Sequence, residues 1–232
     1  MPYRLLVRAA SRATGRLGWL RGAAGALAGI GLAGAVTHFA LDPGPGALWL
    51  IGPVGASAVL VFALPASPLA QPWPVIGGNV FSVMVGLIMA ALVPYPPLAA
   101  ALAVGLAIAT MALLRCLHPP GGACALLGAL TPPAAGGAAL LGPLMDLALP
   151  LAVNLAVMLA VAWAWNNLTG HRWPHDPALA PAPSREEWTA RYEPADLDAV
   201  LEHWDEVLDV SRDDLDALFR AVEKRVERRW RA

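Results

Sequence analysis

The chain contains Pro53-Val-Gly-Ala-Ser-Ala-Val-Leu60 and, at an offset of 67 positions, Pro120-Gly-Gly-Ala-Cys-Ala-Leu-Leu127. Five of the eight paired residues are identical. The same offset pairs the polar residues Asn79 and Asp146 in the apolar sequence that follows each copy. Sequence rich in Ala, Leu and Gly produces chance matches, but the polar pair favours a true internal duplication.

Each copy begins at a break rich in glycine and proline, Gly52-Pro-Val-Gly55 and His118-Pro-Pro-Gly-Gly122. Proline fits the first turn of a helix, where its missing N–H would have no partner. The apolar stretches Gly52–Leu64 and Pro119–Leu130 are too short to cross a bilayer unaided. Irregular backbone survives at membrane depth where protein or a wet cavity surrounds it. We therefore predict two re-entrant half-helices, with the alternative that Ala47–Leu64 just spans.

The composition predicts a membrane protein, because 57% of the residues are hydrophobic and only 14% are charged. Between Gly22 and Gly170 the charged residues are Asp42, Arg115 and Asp146. A spanning helix needs about 20 mostly apolar residues. Four stretches meet or approach that length: Gly22–Leu41, Val75–Val93, Pro97–Leu114 and Leu141–Trp165. The predicted fold is all-α, a polytopic bundle of four spanning helices with the two half-helices in an internal repeat.

Charge patterning predicts the orientation of the chain in the membrane. Residues 1–21 form a basic segment that carries five arginines and no acidic residue, and such segments stay in the cytoplasm. A secretory signal peptide is disfavoured because further membrane helices follow. Four or six crossings both return the C-terminus to the cytoplasm. We expect a multi-pass protein of the bacterial inner membrane, with residues 22–170 as its transmembrane domain.

The duplicated breaks predict a binding site for a small anion. A helix start carries partial positive charge and free N–H donors, so it suits an anion even without Lys or Arg. In duplicated membrane proteins, substrate sites commonly lie where broken helices meet. The candidate binding residues are Pro53, Gly55, Ser57, Asn79, His118, Pro119, Pro120, Gly121, Gly122 and Ala123.

Three ionisable residues have both a functional and a structural interpretation. Asp146 is a candidate gating or coupling carboxylate, or an acid that favours a helix start at the interface. Arg115 either attracts an anion to the mouth of the site or anchors a helix end. His118 either binds or relays protons, or ties its loop to a neighbouring helix by a hydrogen bond.

We expect no enzyme, cofactor or metal site from the motifs. The chain has no Gly-x-Ser-x-Gly elbow, phosphate-binding loop or His-Glu-x-x-His pair. Cys116 and Cys124 lie eight positions apart without a second cluster, so we interpret both as small apolar fillers. The charge distribution also argues against nucleic-acid binding.

After residue 170 the sequence changes character. Residues 171–183 are a Pro-rich linker, and residues 184–232 predict a small cytoplasmic tail of amphipathic helices. Ser184-Arg-Glu-Glu187 and Ser211-Arg-Asp-Asp214 have the form of helix N-caps. Apolar residues, among them Trp204, Leu208 and Trp230, recur at helical spacing. These stripes pack on each other or on a second copy of the chain, so homo-oligomers through the tail or the membrane helices are compatible with the sequence.

The residues 20–168 resemble the HPP family of integral membrane proteins. The resemblance rests on His118-Pro-Pro-Gly-Gly-Ala123, Gly55-Ala-Ser-Ala-Val-Leu60, Ser67-Pro-Leu-Ala-Gln-Pro72 and Gly77-Gly-Asn-Val-Phe-Ser82, in this order and spacing. It implies four transmembrane helices, and plant plastid and cyanobacterial relatives have been linked to nitrite transport.

Two functional hypotheses follow from the sequence. The first is a transporter or channel for a small inorganic anion, nitrite-like, with the site at the starts of the two half-helices. Its partners are the anion and the lipid bilayer. The alternative is a membrane-anchored scaffold or signalling subunit whose cytoplasmic tail binds a partner. A polar site at the breaks favours the first hypothesis, and apolar packing there favours the second.

Overall fold

The computed structural model describes residues 2–41, 48–132, 142, 144–175, 192–202 and 212–230, with the side chains of 2–17, 227 and 230 left out. The chain divides into two compact units, Met1–His175 and Asp176–Ala232. Each unit is described by itself. The described secondary structure is helical throughout, which confirms the all-α prediction.

The first unit contains six described helices. They are α1 (Pro2–Leu41), α2 (Gly52–Ala63), α3 (Pro72–Leu92), α4 (Pro96–Leu113), α5 (Pro120–Leu130) and α6 (Leu149–Leu168). A 3-10 turn, Pro68–Ala70, precedes α3, and a π-helical turn, Leu144–Ala148, precedes α6. Helices α2, α3, α4, α5 and α6 each carry proline in the first two positions, where a missing N–H costs no hydrogen bond.

Four helices are long and apolar enough to cross a membrane: Gly18–Leu41, Pro72–Leu92, Pro96–Leu113 and Leu144–Leu168. This confirms the predicted count, with small shifts at the ends. The largest shift is at α1, which extends back to Pro2 through the basic segment. Leu141, the predicted start of the last span, lies outside the described residues.

The short helix α2 runs antiparallel to α1. A Cβ added at Gly22 would lie 3.3 Å from Ala63 Cα, so the end of α2 lies beside the start of the apolar part of α1. At the other end, Asn154 of α6 binds both the N–H of Ile51 and the hydroxyl of Thr37, at 2.9 and 2.7 Å. We call the two ends of the bundle the Arg21 end and the Tyr95 end.

The remaining helices continue this alternation. Trp73 at the start of α3 donates to the carbonyl of Leu114, just past the end of α4, so these two helices are antiparallel. Helix α5 is parallel to α3, because Gly78 lies against His118 and Gly86 lies against Ala125 and Gly128. Each of the six helices therefore runs opposite to the helix before it.

Because each half has three alternating helices, the two halves run in opposite directions, an arrangement compatible with the predicted internal repeat. In the first half, α1 and α3 start at the Arg21 end and α2 starts at the Tyr95 end. In the second half, α4 and α6 start at the Tyr95 end and α5 starts at the Arg21 end. Helix α1 packs on α2 as α4 packs on α5, and α1 packs on α6 as α4 packs on α3. Helix α2 runs from the Tyr95 end toward the Arg21 end, and α5 runs the other way. Neither short helix turns back toward the end at which it starts, so their directions do not support the predicted re-entrant form.

Polar side chains fasten the Arg21 end. The Arg21 guanidinium donates to Asn166 Oδ1 and to the carbonyl of Phe62, both at 2.8 Å, and so joins α1, α6 and α2. Trp173, in the first part of the predicted linker, is 3% exposed and donates to the carbonyl of Ala70 at 3.2 Å. Residues 171–175 thus pack on the bundle, and the rest of the predicted linker lies outside the described residues.

Glycines bring α3 and α5 into backbone contact. A Cβ at Gly86 would overlap the carbonyl oxygen of Ala125, and one at Gly128 would lie 2.7 Å from the carbonyl oxygen of Val83. A Cβ at Gly121 would lie 2.5 Å from the carbonyl oxygen of Gly78. Small residues that permit such approach are the usual basis of helix association in lipid.

The second unit contains α7 (Pro194–Glu202) and α8 (Arg212–Trp230). Tyr192 joins them: its ring stacks on Phe219 at 5.4 Å and its hydroxyl donates to Asp216 Oδ1 at 2.8 Å. Arg212 pairs with Asp198 at 2.8 Å, and this hydrogen bond lowers the pKa of the carboxyl below its ordinary value. The serines of both predicted N-caps, Ser184 and Ser211, lie outside the described residues. Trp204 and Leu208 lie outside them as well.

We expect Gly86→Ala to lower the free energy of unfolding of the detergent-solubilised protein by about 2 kcal/mol, and its melting temperature with it. Overpacking a close contact costs about 1–3 kcal/mol. Unfolding followed by loss of the monodisperse peak on size-exclusion chromatography measures the change. Gly105→Ala on α4 is the matched control, since a Cβ there meets no atom within 4 Å. Equal melting temperatures for the two variants would refute the backbone contact.

Candidate functional site

The two short helices and α3 bring four polar side chains together in one buried cluster. Ser57 lies in the second turn of α2, Asn79 in the second turn of α3, His118 directly before α5 and Cys124 in the second turn of α5. Ser57, Asn79 and His118 are 0% exposed and Cys124 is 1% exposed. We call these four residues the polar cluster.

Hydrogen bonds connect the members of the polar cluster in a chain. His118 Nε2 lies 2.8 Å from Ser57 Oγ, and Asn79 Nδ2 donates to Ser57 Oγ at 3.1 Å. The Cys124 thiol donates to Asn79 Oδ1 at 3.0 Å. Asn79 thereby binds Ser57 and Cys124, which occupy equivalent positions in the two copies of the repeat.

Backbone carbonyls complete the cluster. Asn79 uses its second N–H on the carbonyl of Val75 at 2.8 Å, one turn earlier in α3. His118 Nδ1 lies 2.8 Å from the carbonyl of Leu69. Because a carbonyl oxygen only accepts, Nδ1 carries the hydrogen, and in the neutral ring Nε2 accepts the hydrogen of Ser57.

The first turn of α5 has few free amides. Pro119 and Pro120 have no N–H, the N–H of Gly121 donates to the carbonyl of His118 at 2.8 Å, and that of Gly122 donates to the carbonyl of Pro119 at 3.0 Å. An anion here would compete with these two carbonyls for the N–H groups of Gly121 and Gly122.

The start of α2 is similar. The N–H of Val54 donates to the carbonyl of Ile51 at 2.9 Å, and Ile51 itself donates to Asn154 Oδ1. Pro53 has no N–H. The amides predicted to cradle an anion are thus largely committed to the chain, and the polar capacity between the helices comes from side chains.

The other predicted site residues are distributed around the cluster. Pro120 and Gly121 are buried, Pro53 and Gly122 are half-buried, and Gly55, Pro119 and Ala123 are exposed on the outer surface of their helices. A Cβ at Gly55 or Gly122 would meet no atom within 4 Å, so neither glycine serves a close contact.

The two predicted gating residues lie apart from the polar cluster. Arg115 is exposed and has a positive φ of 52° in the turn after α4. Asp146 is exposed in the π-helical turn before α6. The offset of 67 pairs Asp146 with Asn79, but the α6 residue that binds the break before α2 is Asn154. The repeat therefore does not align α3 with α6 residue by residue.

The HPP transmembrane-region family matches the chain over residues 12–174. The chain belongs to the HPP transmembrane family. The matched range contains α1 from residue 12 onward, all of α2 to α6 and every member of the polar cluster. The family resemblance inferred from the sequence is thereby confirmed.

Two curated relatives of this HPP chain are transmembrane proteins of Dictyostelium discoideum. One is 41% identical over 97 residues, which cover 40% of this chain and 31% of the relative. The other is 46% identical over 82 residues, which cover 34% of this chain and 29% of the relative. The chain thus spans less than a third of the length of either relative. No solved structure matches it.

Sequence reasoning missed one member of the cluster in this HPP chain. Cys124 was interpreted as an apolar filler, but its thiol donates a hydrogen bond to Asn79. The repeat contained the signal, because Cys124 aligns with the candidate residue Ser57. Ser82 is also 0% exposed, and its hydroxyl has no hydrogen-bond partner in the described part of the chain.

We expect a double-mutant cycle between Ser57→Ala and His118→Ala to give a coupling free energy of about 1 kcal/mol, in the range measured for hydrogen bonds between membrane helices. Unfolding of the purified protein in mixed micelles measures each variant. The control pairs Ser57→Ala with Thr131→Val, because the one hydrogen bond of the Thr131 hydroxyl among the described residues is to the carbonyl of Leu127, four positions earlier. Additive effects in both cycles would contradict the 2.8 Å contact.

Proposed function

We propose that this HPP-family chain is a membrane transporter or channel for a small inorganic anion, nitrite-like. The observation that carries the proposal is the polar cluster, which lies where the starts of two short helices come into contact inside the bundle. The family assignment is consistent with transport, and the resemblance seen in the sequence suggests nitrite.

The energetics of the membrane interior support a functional cluster. Polar side chains inside a bundle are costly unless they bind partners, and they commonly mark a substrate or proton pathway. Apolar residues surround the cluster, among them Val54, Ala58 and Val75, each at most 1% exposed. Four polar side chains directed at one another in this setting favour a role beyond packing.

The location of the cluster in the repeat supports the same function. Ser57 and Cys124 are repeat equivalents that meet on Asn79 between the two inverted halves. In transporters built from inverted repeats, substrate sites lie at the interface between the repeats, at broken helices. The starts of α2 and α5 act as half-helix ends within the membrane, and their dipoles add positive potential near the cluster.

The proposed mechanism uses side chains for most of the anion's coordination. Ser57, Asn79 and His118 supply hydrogen-bond donors that replace water around the anion. Because the cluster is at most 1% exposed, passage requires one half to move relative to the other, as in alternating access. Arg115 and Asp146, which are exposed away from the cluster, would act at the mouths of the path.

The proposed orientation places the Arg21 end in the cytoplasm. Five arginines precede or begin the apolar part of α1, and positive charge next to a span is retained on the cytoplasmic side. Helix α6 also ends at the Arg21 end, where Asn166 accepts a hydrogen bond from Arg21, and the proposal places both chain termini in the cytoplasm. A bacterial inner membrane fits this arrangement.

We expect purified protein in liposomes to carry nitrite or nitrate, and His118→Ala to reduce the initial rate about ten- to hundredfold. The reduction follows from the loss of a hydrogen bond to a charged group, worth about 1.5–3 kcal/mol. An anion-sensitive dye trapped in the vesicles measures the rate.

His38→Ala is the control for this experiment, because His38 is an exposed histidine of the same bundle outside the cluster. Both variants should elute from size exclusion as the wild type does. Absence of flux in the wild type would reject transport, and full flux in His118→Ala would remove His118 from the path.

A second candidate function is suggested by the C-terminal unit. Leu218 is 58% exposed and Val222 is 44% exposed on α8, where soluble helices usually present polar groups. Tyr192 and the segment before α7 cover the edge of α8 that carries Asp216 and Glu223, which leaves these two apolar residues uncovered. This surface favours a scaffold role, with a second copy of the chain as the partner of matching chemistry.

If the tail self-associates, the full chain in detergent should form dimers, and Leu218→Glu combined with Val222→Glu should shift it to monomers. Light scattering coupled to size exclusion measures the protein mass. The paired variant Asp213→Lys and Lys224→Glu, at exposed polar sites of α8, is the control. A monomeric wild type would contradict self-association, and nitrite flux should be the same in all three proteins.

A further inference from the structure

An anion at the polar cluster lacks a fixed positive charge to balance it. In the described part of Met1–His175, no lysine, arginine, aspartate or glutamate is fully buried, and the half-buried Arg21 is held by Asn166 and the Phe62 carbonyl at the Arg21 end. The N–H groups of Gly121 and Gly122 already donate to carbonyls. A lone anion at this depth would therefore be an uncompensated buried charge, which is strongly unfavourable.

His118 is the group of the cluster that can supply a positive charge. Its Nδ1 hydrogen is committed to the carbonyl of Leu69, so the free position for a further proton is Nε2. Nε2 faces Ser57 Oγ at 2.8 Å, directly inside the cluster. A proton added there lies at the crossing of α2 and α5.

The hydrogen-bond network accepts this proton without leaving a polar group unpaired. In the neutral state the Ser57 hydroxyl donates to Nε2 and accepts from Asn79. When Nε2 gains a proton, the new N–H donates to Ser57 Oγ or to an adjacent anion. The Ser57 hydrogen can then turn to the carbonyl of Pro53, 3.3 Å away on the same helix. The proton comes from hydronium on the side to which the site is open, so one O–H bond breaks as the N–H bond forms. On release at the other side the N–H bond breaks and water takes the proton.

The surroundings of His118 contain no competing charge among the described residues. Ser57 faces it from α2, Gly78 lies against it from α3 and the Leu69 carbonyl accepts from it in the segment before α3, while Asn79 reaches it through Ser57. The titratable neighbours are thiols: Cys124 reaches the cluster through Asn79, and Cys116 lies against Gly77 in the segment before His118. A thiol never becomes positively charged, so neither cysteine can balance an anion.

We propose that His118 Nε2 binds one proton together with each transported anion, so that the pair crosses the bundle without net charge. Either ion alone leaves an unbalanced charge in an apolar interior, whereas the two together form a neutral pair. The anion and its proton enter from one side and leave on the other. This inference rests on the proposed function, to which it adds the coupling ion and the stoichiometry.

The test uses the full chain in liposomes with nitrate as the probe, since nitrate is not appreciably protonated near neutral pH and does not cross lipid as a neutral acid. A pH gradient of one unit, alkaline inside, is imposed while potassium and valinomycin hold the membrane potential at zero. Coupling of one proton to one anion predicts about tenfold accumulation of nitrate inside, because one pH unit corresponds to a tenfold proton ratio. An imposed membrane potential without a pH gradient should produce no accumulation.

The outcomes separate this inference from the proposed function. Nitrate flux that responds to the membrane potential and not to the pH gradient would show transport of the anion alone. That result would overturn the co-binding of a proton and leave the proposed anion transport standing. If neither nitrate nor nitrite moves under any gradient, relative to protein-free vesicles, both the proposed function and the inference fail.

Variants locate the proton. His118→Gln keeps hydrogen-bonding capacity but cannot hold the extra proton, so it should lose the pH-driven accumulation, and His38→Gln should behave as the wild type does. In weakly buffered detergent solution, nitrate addition should remove about one proton per bound anion from solution for the wild type and none for His118→Gln. Equal accumulation or equal proton uptake in His118→Gln would overturn the assignment to His118.

Discussion

Backbone contact between α3 and α5 is the constraint on which the membrane unit depends. Gly86 and Gly128 remove the side chains that would separate the two helices, and Gly78 and Gly121 do the same at the start of α5. Since these helices run parallel and touch along their length, Asn79 is brought within hydrogen-bond distance of Cys124. A single methyl group at this contact would displace the start of α5 and with it His118.

The buried polar groups of the bundle divide into two kinds by what they bind. Asn154 and Asn166 bind backbone groups of the segments that enter and leave α2, namely the N–H of Ile51 and the carbonyl of Val61. Such bonds replace the water that irregular backbone would otherwise need inside a membrane. Side chains of the polar cluster make three hydrogen bonds to one another, across three helices, and three to backbone carbonyls. The bonds to backbone explain how the broken helices are tolerated, and the three bonds between side chains have no comparable structural requirement.

The order of the helices has a consequence for the cluster. Three helices in each half make the two halves inverted, so equivalent residues approach from opposite directions. Ser57 lies on α2, which starts at the Tyr95 end, and Cys124 lies on α5, which starts at the Arg21 end. They meet at the same depth on Asn79, which has no equivalent partner from α6. The repeat is thus symmetric in its helices and asymmetric at its centre, where one amide binds both copies.

Several features were predictable because they depend on local sequence. The apolar lengths and the prolines at helix starts predicted four spans within a few residues and both short helices. Ser57, Asn79 and His118 were all predicted as site residues from the repeat and the break. The extension of α1 to Pro2 was not predicted, because arginine-rich sequence forms a helix without an apolar signal. The packing of Trp173 was missed because a Pro-rich composition indicates a linker and carries no information on what it touches.

The amino-acid sequence by itself determined that this chain lies in a membrane, where its apolar helices lie to within a few residues, and which polar residues fall in its apolar stretches, since hydropathy and proline position act through neighbours in the chain. Only the tertiary structure decided that the halves are inverted, that Cys124 joins the cluster and that Asp146 and Arg115 do not. These depend on which faces of distant helices meet, and that is set by glycine contacts such as Gly86 with Gly128, whose sequence positions do not reveal their partners.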